Sequence, residues 1–158
     1  GNYGCLEAVS SARAMVRDVE KRLLNGEDSL LNALIKKENG ELSAKIIYDG
    51  AKLGDKLCQE IVLEALDHLG AAIARVINLL DIGLIILEGG ISRNGEYFTN
   101  NLFDAIDRHK MQYVGKNTQI VVSELGADAT AIGAASIVIN QLLQNGGDLH
   151  LMYENEVF

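Results

Sequence analysis

LIILEGGIS, residues 84–92, joins a short apolar run to a pair of glycines. The run from Ile82 to Leu87 (IGLIIL) is β-branched and apolar at successive positions. Side chains alternate across a strand, so such a run predicts a strand covered on both faces, as in a parallel sheet. Gly89-Gly90 reads as the turn that follows, and Asn94-Gly95 leads into an amphipathic helix through roughly Met111. Strand, turn and helix in that order form the repeating unit of an α/β protein. Thr118 to Ser123 (TQIVVS) is a second strand candidate.

Outward from this unit the chain reads as helical. Upstream, Asp55 to Leu80 predicts the longest helix, with Cys58, Val62, Ala65, Leu69, Ile73, Val76 and Leu80 as one apolar stripe. Earlier still, Glu7 to Leu24 has Val9, Ala12, Val16, Val19 and Leu23 at helical spacing and predicts one helix ending at Asn25-Gly26. Asp28 or Ser29 is placed to cap a short helix through Lys37, and Ser43 to cap another from Ala44 to Leu53. Downstream, Asp128 to Leu143 predicts a final helix rich in small residues, with Asp128 as its cap. About six helices and two parallel strands make a mostly helical α/β chain. Two strands with open edges leave backbone groups unpaired, so further strands or a partner surface are expected to cover them. Residues 1–145 read as one lobe and 146–158 as a tail prone to fray.

The chain has 158 residues, with 14 basic and 22 acidic side chains and a formal net charge of −8. Nucleic-acid contacts draw most of their affinity from Lys and Arg neutralising phosphates, so this acidic chain is not expected to touch DNA itself. No apolar stretch approaches the length needed to cross a bilayer and the start has no secretory pattern, which predicts a cytoplasmic protein. Two cysteines, Cys5 and Cys58, are too few for a disulfide framework and are expected to be reduced thiols. His68, His109 and His150 lack metal-ligand spacing and read as surface or structural residues.

Three segments share one order and spacing: GNYGCLEA at 1–8, LIILEGGIS at 84–92 and GADATAIGAA at 126–135. Together with Gly54-Asp55, Leu69-Gly70 and Ile77 to Leu80, they resemble the C-terminal part of the ROK family, which comprises bacterial sugar kinases and sugar-responsive repressors. The resemblance implies part of a ribonuclease-H-like (actin-like ATPase) fold. It also implies a sugar or sugar phosphate as effector, a homo-oligomer, and contact with DNA only through a region outside this chain.

The first segment looks like the end of the family's cysteine motif, in which three cysteines and a histidine hold a structural zinc. Cys5 alone remains of that set. A tetrahedral site needs four ligands, so a buried small thiol is expected here rather than a metal ligand. No cofactor is expected in this stretch; zinc belongs to the intact motif. Glu7 matches the family glutamate that hydrogen-bonds sugar hydroxyls, a task suited to a carboxylate that accepts from two vicinal donors. The alternative is a first-turn acid stabilised by the helix dipole.

In the second segment family kinases place three glycines against ATP-Mg. Here the first is Glu88, followed by Gly89 and Gly90. A carboxylate at that corner repels a triphosphate. In the third segment Gly133, costly within a helix, is expected to permit a close approach, of nucleotide in a kinase or of a packed neighbour otherwise. The family's catalytic Asp has no counterpart here, so no catalytic residue is assigned and a complete kinase is not expected. The reading that emerges is the sugar-binding and oligomerisation lobe of a repressor, with the C-terminal lobe of an ATP-dependent sugar kinase as the alternative, in which Gly89, Gly90 and Gly133 would face nucleotide.

Overall fold

The computed structural model describes residues 4–37, 40–89 and 95–144. It divides into two compact units, residues 1–122 and 123–158. In the first unit five helices, α1 (Leu6–Ser10), α2 (Ala12–Leu24), α3 (Leu31–Lys37), α4 (Ala44–Lys52) and α5 (Lys56–Leu80), precede strand β1 (Leu84–Leu87). Helix α6 (Glu96–His109) and strand β2 (Gln119–Val122) follow. The strands pair in parallel, with Leu84 opposite Gln119 and Leu87 opposite Val122. The sheet among the described residues is this pair.

The expected helix from Glu7 to Leu24 is two helices. Ser11 is extended (φ −84°, ψ 162°) and its hydroxyl accepts the Ala14 amide at 3.1 Å, capping α2. Serine competes for backbone donors and prefers such a cap to a helix interior, so Ser10-Ser11 overrides the apolar periodicity that runs through it. Ser10 is buried, and its hydroxyl donates to the Ala65 carbonyl at 2.8 Å, fastening α1 to α5.

Helix α5 organises the core. Asp55 caps it, accepting from the Cys58 amide at 2.8 Å, and the same buried carboxylate receives the Leu30 amide at 2.6 Å and the Ser29 hydroxyl at 2.9 Å. Burial works against its charge, but these donors prevail and hold the carboxyl below its ordinary range. Leu57, Cys58, Ile61, Val62, Ala65 and Leu66 are buried among Met15, Val19, Leu31, Ile46, Ile47 and Tyr48. Burial also pushes the Cys58 thiol up to about 12, which leaves it inert.

The C-terminal half of α5 departs from the expected stripe. Gly70, Ala71, Ala74 and Ile77 are buried there, while Val76 and Leu80 are exposed and Leu69 and Ile73 are half-buried. The reason is the α6 crossing: a Cβ on Gly70 would stand 2.6 Å from the Ala105 Cβ, so only glycine lets the two backbones approach this closely. Ranking positions by apolarity misses a face made of small residues.

The strands also differ from expectation. Ile85, Leu87 and Ile120 pack on the helical core, whereas Leu84 and Ile86 are 50% and 59% exposed, so within this unit the helices cover one face of the pair. Gly95 (φ 70°) immediately precedes α6, and Phe98, Leu102, Ala105 and Ile106 form the buried side of that helix.

The second unit contains a 3-10 turn, Gly126–Asp128, and helix α7 (Ala129–Gln144). Asp128 is the last residue of that turn and immediately precedes α7, at the position of its expected cap. Gly133 lies within α7, and a Cβ there would meet nothing within 4 Å among the described residues of this unit. The tail assigned to 146–158 lies outside the described residues, as do Gly1, Gly90, Ser92 and His150.

Candidate functional site

A cavity of about 560 Å3 opens at the carboxyl end of β1. Ile86, Leu87, Glu88 and Gly89 leave the strand along one side of it. Leu6, Glu7, Ser10 and Ser11 come from α1 and its junction with α2, Leu69 and Ile73 from α5, and Phe98 from α6. Ligands of α/β sheets bind at this end of the strands, because the backbone leaves the ladder there and its polar groups become available. Phe98 is fixed by an edge-to-face contact with Tyr48, centroids 6.5 Å apart, and gives the cavity a rigid apolar wall.

The position of Glu7 follows from the α1–α2 break. An unbroken helix through Ser10-Ser11 would continue in one direction. Instead α1 is a separate short piece held by the Ser10 to Ala65 bond, and Arg17 donates to the Ala8 carbonyl at 3.1 Å as a second tie. Glu7 is exposed and has no hydrogen-bond or salt-bridge partner among the described residues, so its carboxylate is available to a ligand. A smaller notch of about 120 Å3, lined by Glu7, Ala8, Ser11, Arg13, Ala14 and Arg17, shares Glu7 with the cavity. Arg17 is already held by Asp18 at 2.8 Å.

On the opposite side Gly89 takes φ +110°, a conformation that suits glycine, and Glu88 immediately precedes it. Glu88 is exposed and lines the same cavity as Glu7. The structure thus brings Glu7 to the same cavity as Glu88 and Gly89, which lie 81 and 82 residues further along the chain. Gly90 falls outside the described residues, and Gly133 belongs to α7 in the other unit.

Cys5, expected as a buried thiol, is exposed at the start of α1. Apolar burial of this sulfur is not what the local backbone provides, because α1 begins at the surface. Among the described residues no three His, Cys, Asp or Glu side chains cluster as a metal would need, and Cys5 by itself does not fit a zinc. His109 lies 3.1 Å from Asp67, beside the Arg108 to Asp67 salt bridge at 2.7 Å. It ties α6 to α5 away from the cavity, as a structural histidine. Sequence reasoning missed Ser10, Ser11, Leu69, Ile73 and Phe98 as cavity walls. The serine pair carried a signal in its preference for helix starts; Leu69 and Ile73 were indistinguishable from core.

Comparison with known proteins bears on the family and the fold. The ROK family profile matches residues 1–141. The chain is 29% identical over 144 residues to a xylose repressor of Caldicellulosiruptor bescii, covering 90% of this chain and 35% of that protein. It is 33% identical over 138 residues to a glucokinase of Thermotoga maritima, covering 87% of this chain and 43% of that protein. Among solved structures, a ROK family glucokinase from Streptomyces griseus in complex with glucose and AMPPNP superposes with a TM-score of 0.72 at 26% identity, over 87% of this chain and 45% of that one. The sequence thus spans less than half the length of these relatives, which include both repressors and kinases. With the strand–glycine–helix unit, the GCLE segment and this profile in agreement over nearly all of its length, the chain belongs to the ROK family.

Proposed function

We propose that the chain is the sugar-binding and oligomerisation lobe of a cytoplasmic ROK transcriptional repressor, with DNA bound by a region outside this sequence. The observation that carries the reading is the cavity itself. Glu7, matching the family's sugar-binding glutamate, and the β1 glycine turn line one space, and a carboxylate stands at Glu88 where family kinases have glycine. Glu7 accepts from sugar hydroxyls, and its two oxygens fix orientation as well as affinity. Phe98, Leu69 and Ile73 supply apolar surface for the faces of the ring. Glu88 disfavours the phosphates of a nucleotide at the turn. The uncovered strand face at Leu84 and Ile86 supports assembly with more protein, whether further chain or a second copy.

The alternative is the C-terminal lobe of an ATP-dependent sugar kinase, supported by the glucokinase relatives. In that reading Gly89 would lie against the phosphates of ATP-Mg, which would supply the phosphoryl group.

The two readings part in a thermal-shift titration with glucose, xylose, N-acetylglucosamine and ATP-Mg. A ligand that binds only the folded state raises the melting temperature. A sugar-induced rise that Glu7→Gln abolishes, with no rise from ATP-Mg, is the expected result. A rise with ATP-Mg favours the kinase, and no response to any sugar overturns sugar binding. Sedimentation at 17 kDa alone would overturn oligomerisation.

A further inference from the structure

We propose that Glu88 makes this cavity a charge filter that takes an unphosphorylated sugar, favours an amino-substituted one and rejects a phosphorylated one. The inference rests on the proposed sugar site and specifies the ligand's charge. Glu7 and Glu88 reach the 560 Å3 cavity from different elements, α1 and the end of β1, and no Lys, Arg or His is among its described lining residues. Neither carboxylate has a hydrogen-bond or salt-bridge partner among the described residues. The basic side chains on this flank, Arg13 and Arg17, line the adjoining notch, which shares Glu7 and Ser11 with the cavity, and Arg17 is engaged by Asp18.

Two acidic residues lining one largely apolar space have three kinds of guest. A neutral sugar offers hydroxyl donors to both. An ammonium group on the sugar adds attraction to both charges, strengthened because the apolar walls of Leu69, Ile73 and Phe98 reduce screening by water. A phosphate meets two like charges and finds no cation among the described lining residues, and its oxygens can only accept, as the two carboxylates do. Glu88 therefore does more than weaken a nucleotide corner: it decides which form of a sugar the cavity admits.

The test compares glucose, glucosamine and glucose 6-phosphate by calorimetric titration of the full chain at low and physiological salt. Glucosamine is expected to bind at least tenfold tighter than glucose 6-phosphate, with the ratio shrinking at higher salt. Glu88→Gln is expected to reduce the ratio several-fold. Glu64→Gln, which removes one charge from an exposed position on α5, controls for the net charge of −8 and should leave the ratio in place. Equal binding of the two charged sugars, a ratio indifferent to Glu88→Gln, or an equal response to Glu64→Gln overturns the filter. If none of the three binds, the filter also fails. Glu7-dependent binding of xylose or N-acetylglucosamine would then show that the sugar site itself stands.

Discussion

Around α5, Leu57, Cys58, Val62, Leu66 and Ile77 are at most 2% exposed, whereas in the strand pair Leu84 and Ile86 keep half or more of their surface in water. Both regions are apolar in sequence. The difference lies in what else they carry. The helices bring caps and small residues that let them close on one another: Asp55 gathers donors from three residues, and Gly70 admits α6. The strands have their side-chain ties only at their approaches, where the Thr118 hydroxyl donates to the Ile82 carbonyl and Asp81 accepts the Gly115 amide, among the described residues. They lean on the helices through Ile85, Leu87 and Ile120 and leave their other face for something else.

The sharpest way to break this contrast is Asp55→Ala. It removes the α5 cap and leaves the Leu30 and Cys58 amides without their acceptor, for an expected loss of about 3 kcal/mol in chemical unfolding. Acid should act on the same group. Its folded carboxyl titrates below the unfolded value, so its contribution is complete above the ordinary Asp range and disappears as pH falls through the folded value. Stability measured against pH should decline on the acid side less steeply in Asp55→Asn than in the parent. Next in size is Gly70→Ala. The gain in helix propensity is outweighed by the collision with Ala105, for a net loss of about 1–2 kcal/mol. The smallest effect is expected at Leu84→Thr. Half of this side chain is already in water, so unfolding should change by less than about 0.5 kcal/mol while any self-association weakens. A loss as large as that at Asp55 would show that the strand face is closed in the chain by itself.

The elements that carried most of the fold were legible because their signals agreed. Apolar run, glycine turn and helix period all pointed to strand, turn and helix at 82–111, and Ser43 and Asp55 cap helices where their side chains predict. Where two signals conflicted, periodicity misled. Through Ser10-Ser11 the apolar spacing argued for continuity, and the cap preference of serine prevailed. In the second half of α5 the larger apolar residues argued for one face, and the close crossing at Gly70 chose another. The site was legible in part, since Glu7 and the β1 turn could be named separately. Their shared cavity depends on the direction of α1, which is set by a bond from Ser10 to a carbonyl fifty-five residues away that no local pattern encodes.

That bond gives the carboxylate at Glu7 an unusual foundation. Five residues form barely more than one helical turn, too little to persist on local energetics, so α1 exists because α5 holds it. Its amides should therefore exchange with deuterium sooner than those of α5, and a guest gripping Glu7 should slow them before any other part of the fold. The shortest α-helix among the described residues is the place where occupancy should register first.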